Sequence, residues 1–166
     1  GTGECGQNQS SSHIQTPTKV GSLTNWKQPN TGGYGNQMAC AKTDGTMWTW
    51  GNNGYGRLGD GTTTNRSSPV QVGSLTDWGL LDYQLANGNA HMLAIKQDGT
   101  LWGWGKNTVG ELGDGTNTSR SSPIQIGSAS NWVKCDAGVN HSLAINDVGK
   151  LYVWGFNNYS SSAGGL

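Results

Sequence analysis

An all-β chain of propeller-type repeats, about three blades of four short strands each, is what this sequence predicts. Three observations lead there. Trp50-Gly51 recurs as Trp104-Gly105 and Trp154-Gly155, a period of about 50 residues that suits radial stacking of strand units. Asp44-Gly45 and Asp98-Gly99 each separate an apolar stretch from a tryptophan stretch, the pattern of a tight hairpin whose central residues need positive φ. No window carries apolar residues at i, i+3, i+4 and i+7 between caps, so helix is expected to be nearly absent.

The parts of each unit follow in chain order. A glycine-rich crossing comes first, GECG, GRLG or GELG from Gly3, Gly56 or Gly110, where missing side chains let backbones approach closely. A proline-containing segment follows, TPTKVGSLTNW, SPVQVGSLTDW or SPIQIGSASNW, carrying Pro17, Pro69 or Pro123 and ending at Trp26, Trp78 or Trp132. Then comes a hairpin, NQMACAKTDGTMWTWG, NAHMLAIKQDGTLWGWG or NHSLAINDVGKLYVWG, in which Gln37, His91 and His141 share one slot. In its second strand Trp48 and Trp50 share a face opposite Met47 and Thr49, and Trp102 and Trp104 lie opposite Leu101 and Gly103. Both faces are at least partly apolar, so each sheet is expected to be sandwiched between neighbours.

The repeats are placed at 1–51, with a first strand missing or supplied elsewhere, at 52–105 and at 106–155; residues 156–166 start a further repeat or form a tail. The second repeat carries extra residues, GLLDYQLANGNAH between Trp78 and His91 against VKCDAGVNH between Trp132 and His141.

Composition narrows the classes of function. With 33% hydrophobic residues and eight tryptophans against one phenylalanine, the apolar material is concentrated in tryptophan, which argues against a disordered linker. Ten basic and ten acidic residues cancel, which leaves no electrostatic footprint for nucleic acid or an anionic membrane. No apolar run approaches the roughly 20 residues of a membrane span, so a soluble chain without membrane insertion is expected. The sequence opens on GTGECG without an initiator methionine, which suggests processing or truncation. Three cysteines without a CxxC spacing indicate neither a disulfide framework nor a zinc site. Cys5 takes the slot of Leu58 and Leu112, and Cys40 that of Ala94 and Ala144, so both read as small buried hydrophobes.

Several constellations invite chemistry. Gly54-x-Gly56-x-x-Gly59 matches a dinucleotide fingerprint by letters, but no helix opens after it, and a glycine-rich crossing is the better reading. His91 and His141 titrate near neutrality, yet equivalent slots put them in adjacent blades, where each imidazole is expected to bond a backbone group of the next blade. Gln37 supports this, since an amide donates and accepts in the same way. Asp60 and Asp114, in LGDGT, lack calcium-loop spacing and read as turn caps. The serines, among them Ser67-Ser68 and Ser121-Ser122, stand in no nucleophile elbow. Sequons at Asn8, Asn65, Asn117, Asn140 and Asn158 are expected by chance in so Asn/Ser/Thr-rich a chain. Candidate contact residues are Tyr55, Tyr83 and Tyr159, with Arg57, Arg66 and Arg120 on one crossing face, where such charges are usually solvated.

The runs WGNNGYGRLGDGT, SSPVQV and ANGNAHMLAIKQDGTLWGWG resemble the RCC1 (regulator of chromosome condensation) repeat, in order and over essentially the whole chain. The resemblance implies a β-propeller, usually seven-bladed, with His91, His141, Trp50, Trp104, Trp154, Gly51, Gly105, Gly155, Gly59 and Gly113 as its structural signature. About three units cannot close such a ring, so the chain is expected to be part of a larger or oligomeric propeller. The ends GTGECGQN and GFNNYSSS fall in one phase of the repeat. This suits a fragment of a longer array, the preferred reading because an unpaired edge strand is an aggregation hazard. It also lets the strand around Leu151 to Trp154 complete a blade begun by the N-terminus of this or another copy.

The expected function is a non-enzymatic scaffold or interaction module, with no cofactor and no metal. Its expected partners are other protein chains, copies of itself included, with a surface glycan as a further candidate. The Asn/Ser/Thr-rich, tryptophan-heavy, near-neutral style resembles tandem arrays of bacterial surface and tailed-phage virion proteins, implying a structural, fibre, decoration or adhesion role at an extracellular or virion surface. The alternatives are guanine-nucleotide exchange with chromatin association, the activity that gives the family its name, and carbohydrate binding through exposed aromatics.

Overall fold

The computed structural model describes residues 2–8, 13–31, 36–79, 81 and 84–157. Among them eleven strands and one short 3-10 turn, Gly54–Gly56, account for the regular structure. The first sheet holds β1 (Trp26–Thr31), β2 (Gln37–Lys42), β3 (Met47–Gly51) and β4 (Arg66–Gln71) in the order β1-β2-β3-β4. β5 (Leu85–Asn87), β6 (His91–Ile95), β7 (Leu101–Gly105) and β8 (Arg120–Gln125) repeat that order in the second. The third contains β9 (Trp132–Ala137), β10 (His141–Asn146) and β11 (Leu151–Gly155), three strands among the described residues where four were expected.

The predicted hairpins are present in one register. Cys40 faces Trp48, Ala94 faces Trp102 and Ala144 faces Tyr152, two residues short of the turns at Gly45, Gly99 and Gly149. The sheets straddle the repeats read from sequence: β4 lies within 52–105 yet pairs with β3, and β8 lies within 106–155 yet pairs with β7. Pro69 and Pro123 sit in these edge strands, at register shifts opposite Thr49–Gly51 and Gly103–Gly105, where a missing N–H breaks no ladder. The extra residues of the second repeat leave the strand path. Trp78 makes an isolated bridge with Lys96, and the ladder resumes at Leu85 opposite Ala94.

The core lies between blades. Ala39 and Met47 of the first sheet, with Val72 at the end of its β4, pack with Trp78, Met92, Ala94 and Trp104 of the second. Leu93, Ile95 and Leu101 on the other face of the second sheet, with Ile126 at the end of its β8, pack with Cys135, Ala144, Trp132 and Trp154 of the third. Each of the three signature tryptophans also donates its indole N–H to a crossing carbonyl: Trp50 to Glu4 O at 2.8 Å, Trp104 to Arg57 O at 3.0 Å and Trp154 to Glu111 O at 3.0 Å. This explains the crossing glycines. A Cβ at Gly113 would stand 2.7 Å from the Trp154 indole nitrogen, on a backbone at φ +74.

Gly113→Ala should therefore cost about 1–3 kcal/mol of unfolding free energy in urea titration. Gly115→Ala, at φ +77 with nothing within 4 Å, carries only the backbone strain and should cost less. Equal costs would mean that the indole does not press on Gly113.

One burial expectation is corrected. Cys40 is buried, but Cys5 is exposed, because no preceding blade covers it among the described residues, whereas Leu58 and Leu112 are covered on both sides.

Candidate interaction face

Antiparallel alternation gathers the crossings at 52–65 and 106–119 at one end of the blades, together with the turns at 88–90 and 138–140. Each crossing is folded around a buried asparagine. Asn53 Nδ2 donates to Asp60 Oδ1, Thr62 O and Thr64 O at 3.0–3.1 Å, while its Oδ1 accepts from Leu58 N at 2.9 Å. Asn107 repeats the set with Asp114 Oδ1, Thr116 O, Thr118 O and Leu112 N. Asp60 and Asp114 cap the next turn, accepting from the backbone N–H and hydroxyl of Thr62 and Thr116. Burial acts to raise both carboxyl groups, but the threonine, arginine and asparagine hydrogen bonds outweigh it and hold them below the ordinary carboxylate range.

The arginines are not the solvated charges expected. Arg66 and Arg120 pair with Asp60 and Asp114 at 2.6 and 3.0 Å. Arg57 is buried, donating through Nε to Gly54 O and through Nη1 to Asn89 O of the next blade. Glu111 occupies the same slot one repeat later. It is buried with Oε1 3.0 Å from Lys106 Nζ and Oε2 accepting from Val109 N.

The histidine slot bridges blades, with a partner other than the one expected. Gln37 Nε2 donates to Gly88 O at 2.8 Å, as a backbone bond should. His91 Nε2 instead lies 2.8 Å from Ser142 Oγ, which donates to Glu111 O at 2.7 Å. The hydroxyl proton is committed to that carbonyl, so Nε2 is the donor and Nδ1, against Gly88, is left without a partner. Serine and imidazole are thus at nucleophile–base distance, but both are buried and the proton runs the wrong way for the imidazole to act as base. His141, on the outer side of the third blade, is exposed.

Burial, the largest influence, pushes the His91 imidazole down to about 4 from 6.5; Glu111 opposes this, and Lys106 and His141 reinforce it. Because the folded pKa is the lower one, the stabilisation from neutral His91 is complete above about pH 6.5 and is lost as pH falls through about 4. Asp60, Asp114 and Glu111 are held below their ordinary values, and Asp44 at about 2 by its Thr46 hydrogen bonds, so their contributions fade at lower pH. His91→Gln, copying Gln37, should flatten stability between these two pH values in urea titrations; an unchanged slope would refute the assignment.

Four exposed large apolar side chains stand out at the crossing end: Tyr55, Val109 in the equivalent position, Val139 and Phe156. Tyr55 has left-handed backbone, φ 64, inside the 3-10 turn. Tyr83 and Tyr159 lie outside the described residues, as does the Asn158 sequon. Gly56 and Gly59, from the fingerprint-like run, press against Ser121 and Trp104, and a short turn rather than an α-helix holds them. At the opposite end a groove of about 330 Å³ lies between the second and third blades, lined in part by Lys96, Asp98, Trp132 and Asp147. Among the described residues no three His, Cys, Asp or Glu side chains gather as metal ligands would.

The sequence matches the family model "Regulator of chromosome condensation (RCC1) repeat" over residues 44–95 and 98–145, and a second RCC1 repeat model over 84–111. It is 30% identical over 145 residues to the human E3 ubiquitin-protein ligase HERC2, covering 86% of this chain and 3% of that one. It is 29% identical over 149 residues to the Arabidopsis thaliana ultraviolet-B receptor UVR8, covering 88% of this chain and 33% of that one. Among solved structures, human WBSCR16 superposes with a TM-score of 0.77 at 20% identity, over 93% of this chain and 40% of that one. Yeast RCC1 (Prp20), solved bound to Kap60, gives 0.62 at 21% identity, over 74% and 28%. The chain thus spans a third or less of these curated relatives, and the structures confirm the propeller-type fold.

Proposed function

The chain belongs to the RCC1 repeat family, and from that premise we propose that it is a non-enzymatic propeller scaffold that engages a protein partner through its crossing end. The observation that carries this reading is Tyr55, 51% exposed and held at φ 64 in a loop pinned by the buried Asn53. Left-handed backbone at a bulky residue costs roughly 1–2 kcal/mol, and an exposed ring recovers little of it by packing. A rigid, strained, outward tyrosine at the same end of the blades as exposed Val109 and Val139 has the makings of a protein-binding anchor. Proteins that contain this fold do have protein partners: yeast RCC1 was solved with Kap60, and Prp20p was described with its binding properties to Gsp1p and histones.

The finer reading is a structural, fibre, decoration or adhesion component at an extracellular or virion surface. Its support is compositional: zero net charge and Asn/Ser/Thr-rich connections. A photo-crosslinking residue at position 55 should give a protein adduct in the native source, and one at Lys150, on the opposite end, should not. Adducts from Lys150 alone would overturn the assignment of the face. Epitope accessibility on intact cells or particles tests location, and a purely cytosolic distribution would refute it. Guanine-nucleotide exchange is distinguished by assaying release from Ran-type GTPases, with no acceleration expected.

A further inference from the structure

We propose that the groove between the second and third blades binds a saccharide carrying an acetamido group, an N-acetylated hexosamine. It lies at the end opposite Tyr55, so this stands apart from the crossing-end reading, and both of its walls are blades within the described residues.

The same junction is built twice, and only one copy is filled. At each, a hairpin-turn glycine of one blade receives the tryptophan that opens the next: Trp78 N donates to Gly45 O at 3.1 Å and Trp132 N to Gly99 O at 3.0 Å. The later blade then adds one residue of its own hairpin, Gln97 or Asp147, whose N–H donates to Asp77 O or Asn131 O at 2.9 Å. At the first junction the Gln97 side chain lies over Gly45, where a Cβ would stand 3.3 Å from its Nε2, and Nε2 donates to Trp78 O at 3.3 Å. Asp147 is one methylene shorter and is held aside, its Oδ1 accepting from Asn131 Nδ2 at 2.8 Å. No side chain among the described residues donates to Trp132 O, and a groove of about 330 Å³ stays open there.

The chain's own carboxamide at the first junction shows what the second accepts: a planar amide whose N–H meets the tryptophan carbonyl. An acetamido group offers that donor. The remaining free groups accept rather than donate. Asp98 commits Oδ1 to the N–H and hydroxyl of Thr100, and Asp147 commits Oδ1 to Asn131, which leaves Oδ2 of each to take sugar hydroxyls. Lys96 is engaged with Asp77 at 2.9 Å and with the Trp102 ring, so no cation offsets these carboxylates, and an acidic sugar is repelled. One side chain fills the first junction, whereas the open groove falls within the range of small-molecule sites, about 300–1,000 Å³, which leaves room for a pyranose ring beside the amide.

Titrating N-acetylglucosamine and N-acetylgalactosamine into the isotopically labelled 166-residue chain should shift the amide resonances of Asn131, Trp132 and Asp147 saturably for at least one of the two, with a dissociation constant on the order of 1 mM. Glucose and galactose lack the acetamido donor and should bind about tenfold more weakly or worse. Asp147→Gln, copying Gln97, should fill the groove and weaken binding by about tenfold or more, while the urea midpoint stays unchanged or rises. Asp98→Asn keeps an oxygen for the Thr100 cap, removes one carboxylate, and should weaken binding about threefold or more. Absence of saturable shifts at about 50 mM sugar, equal binding of glucose, or undiminished binding by Asp147→Gln would overturn the proposal. So would a glycyl-glutamine dipeptide bound more tightly than either amino sugar, since the occupant would then be a protein side chain. All of these outcomes are read at the groove, whatever the crosslink at position 55 reports.

Discussion

Trp104→Ala is expected to lower the unfolding free energy by about 3–5 kcal/mol, the range for removing a large aromatic from a packed core. The side chain is fully buried between the first and second blades, among Met47, Val72, Met92 and Ala94. Its ring lies 5.7 Å from that of Trp78 at a tilt of 55°, a favourable aromatic geometry. Truncation removes that surface and also leaves the buried Arg57 carbonyl without its indole donor. Trp104→Phe separates the two effects, because it keeps most of the ring area and loses the N–H; it should cost about 1–2 kcal/mol. Trp154 is only partly buried, so Trp154→Ala should cost less. Urea titration of the three variants checks the order, and a cost below 1 kcal/mol for Trp104→Ala would mean that the blades do not depend on this contact.

The strands and turns were legible in the sequence because their signals are local. Alternation in MWTWG and LWGWG and the Asp-Gly turns need no distant partner to be read. The phase of the sheets was not legible, because β4 could pair with either neighbour and only the three-dimensional arrangement assigns it to β3. Slot equivalence misled at Cys5, and the ordinary behaviour of a loop charge misled at Arg57. A slot fixes the backbone, whose carbonyl receives an indole in all three copies, but the side chain answers to its own neighbours. Arg57 thus reaches Asn89 O, and Glu111 meets Lys106. The partner of His91 was hidden for the same reason, since Ser142 stands where the other copies have Met38 and Met92. Asn53 and Asn107 both stand three residues after a repeated tryptophan, but the abundance of asparagine hides their organising role in the crossing.

Those asparagines give the second large effect: Asn107→Asp should destabilise the chain by about 3–5 kcal/mol at pH 7. The amide nitrogen satisfies the carbonyls of Thr116 and Thr118 and one oxygen of Asp114. A carboxylate of the same shape keeps the bond from Leu112 N but turns those donations into oxygen–oxygen contacts at a fully buried site. It also sets a second negative charge 2.9 Å from the Asp114 oxygen, whose only ion-pair partner among the described residues is Arg120. The two contributions separate in a double-mutant cycle. Asp114→Asn alone weakens the Arg120 pair and the Thr116 cap, yet in the Asn107→Asp background it removes the like-charge repulsion and should return about 1–2 kcal/mol. Acid should help Asn107→Asp as well, because protonating the new carboxyl restores a donor. Its stability should therefore rise relative to the parent as pH falls from 7 towards 5. Additive costs in the cycle, or a pH profile parallel to the parent's, would mean that the loop is organised by its backbone alone and that Asn107 merely occupies it.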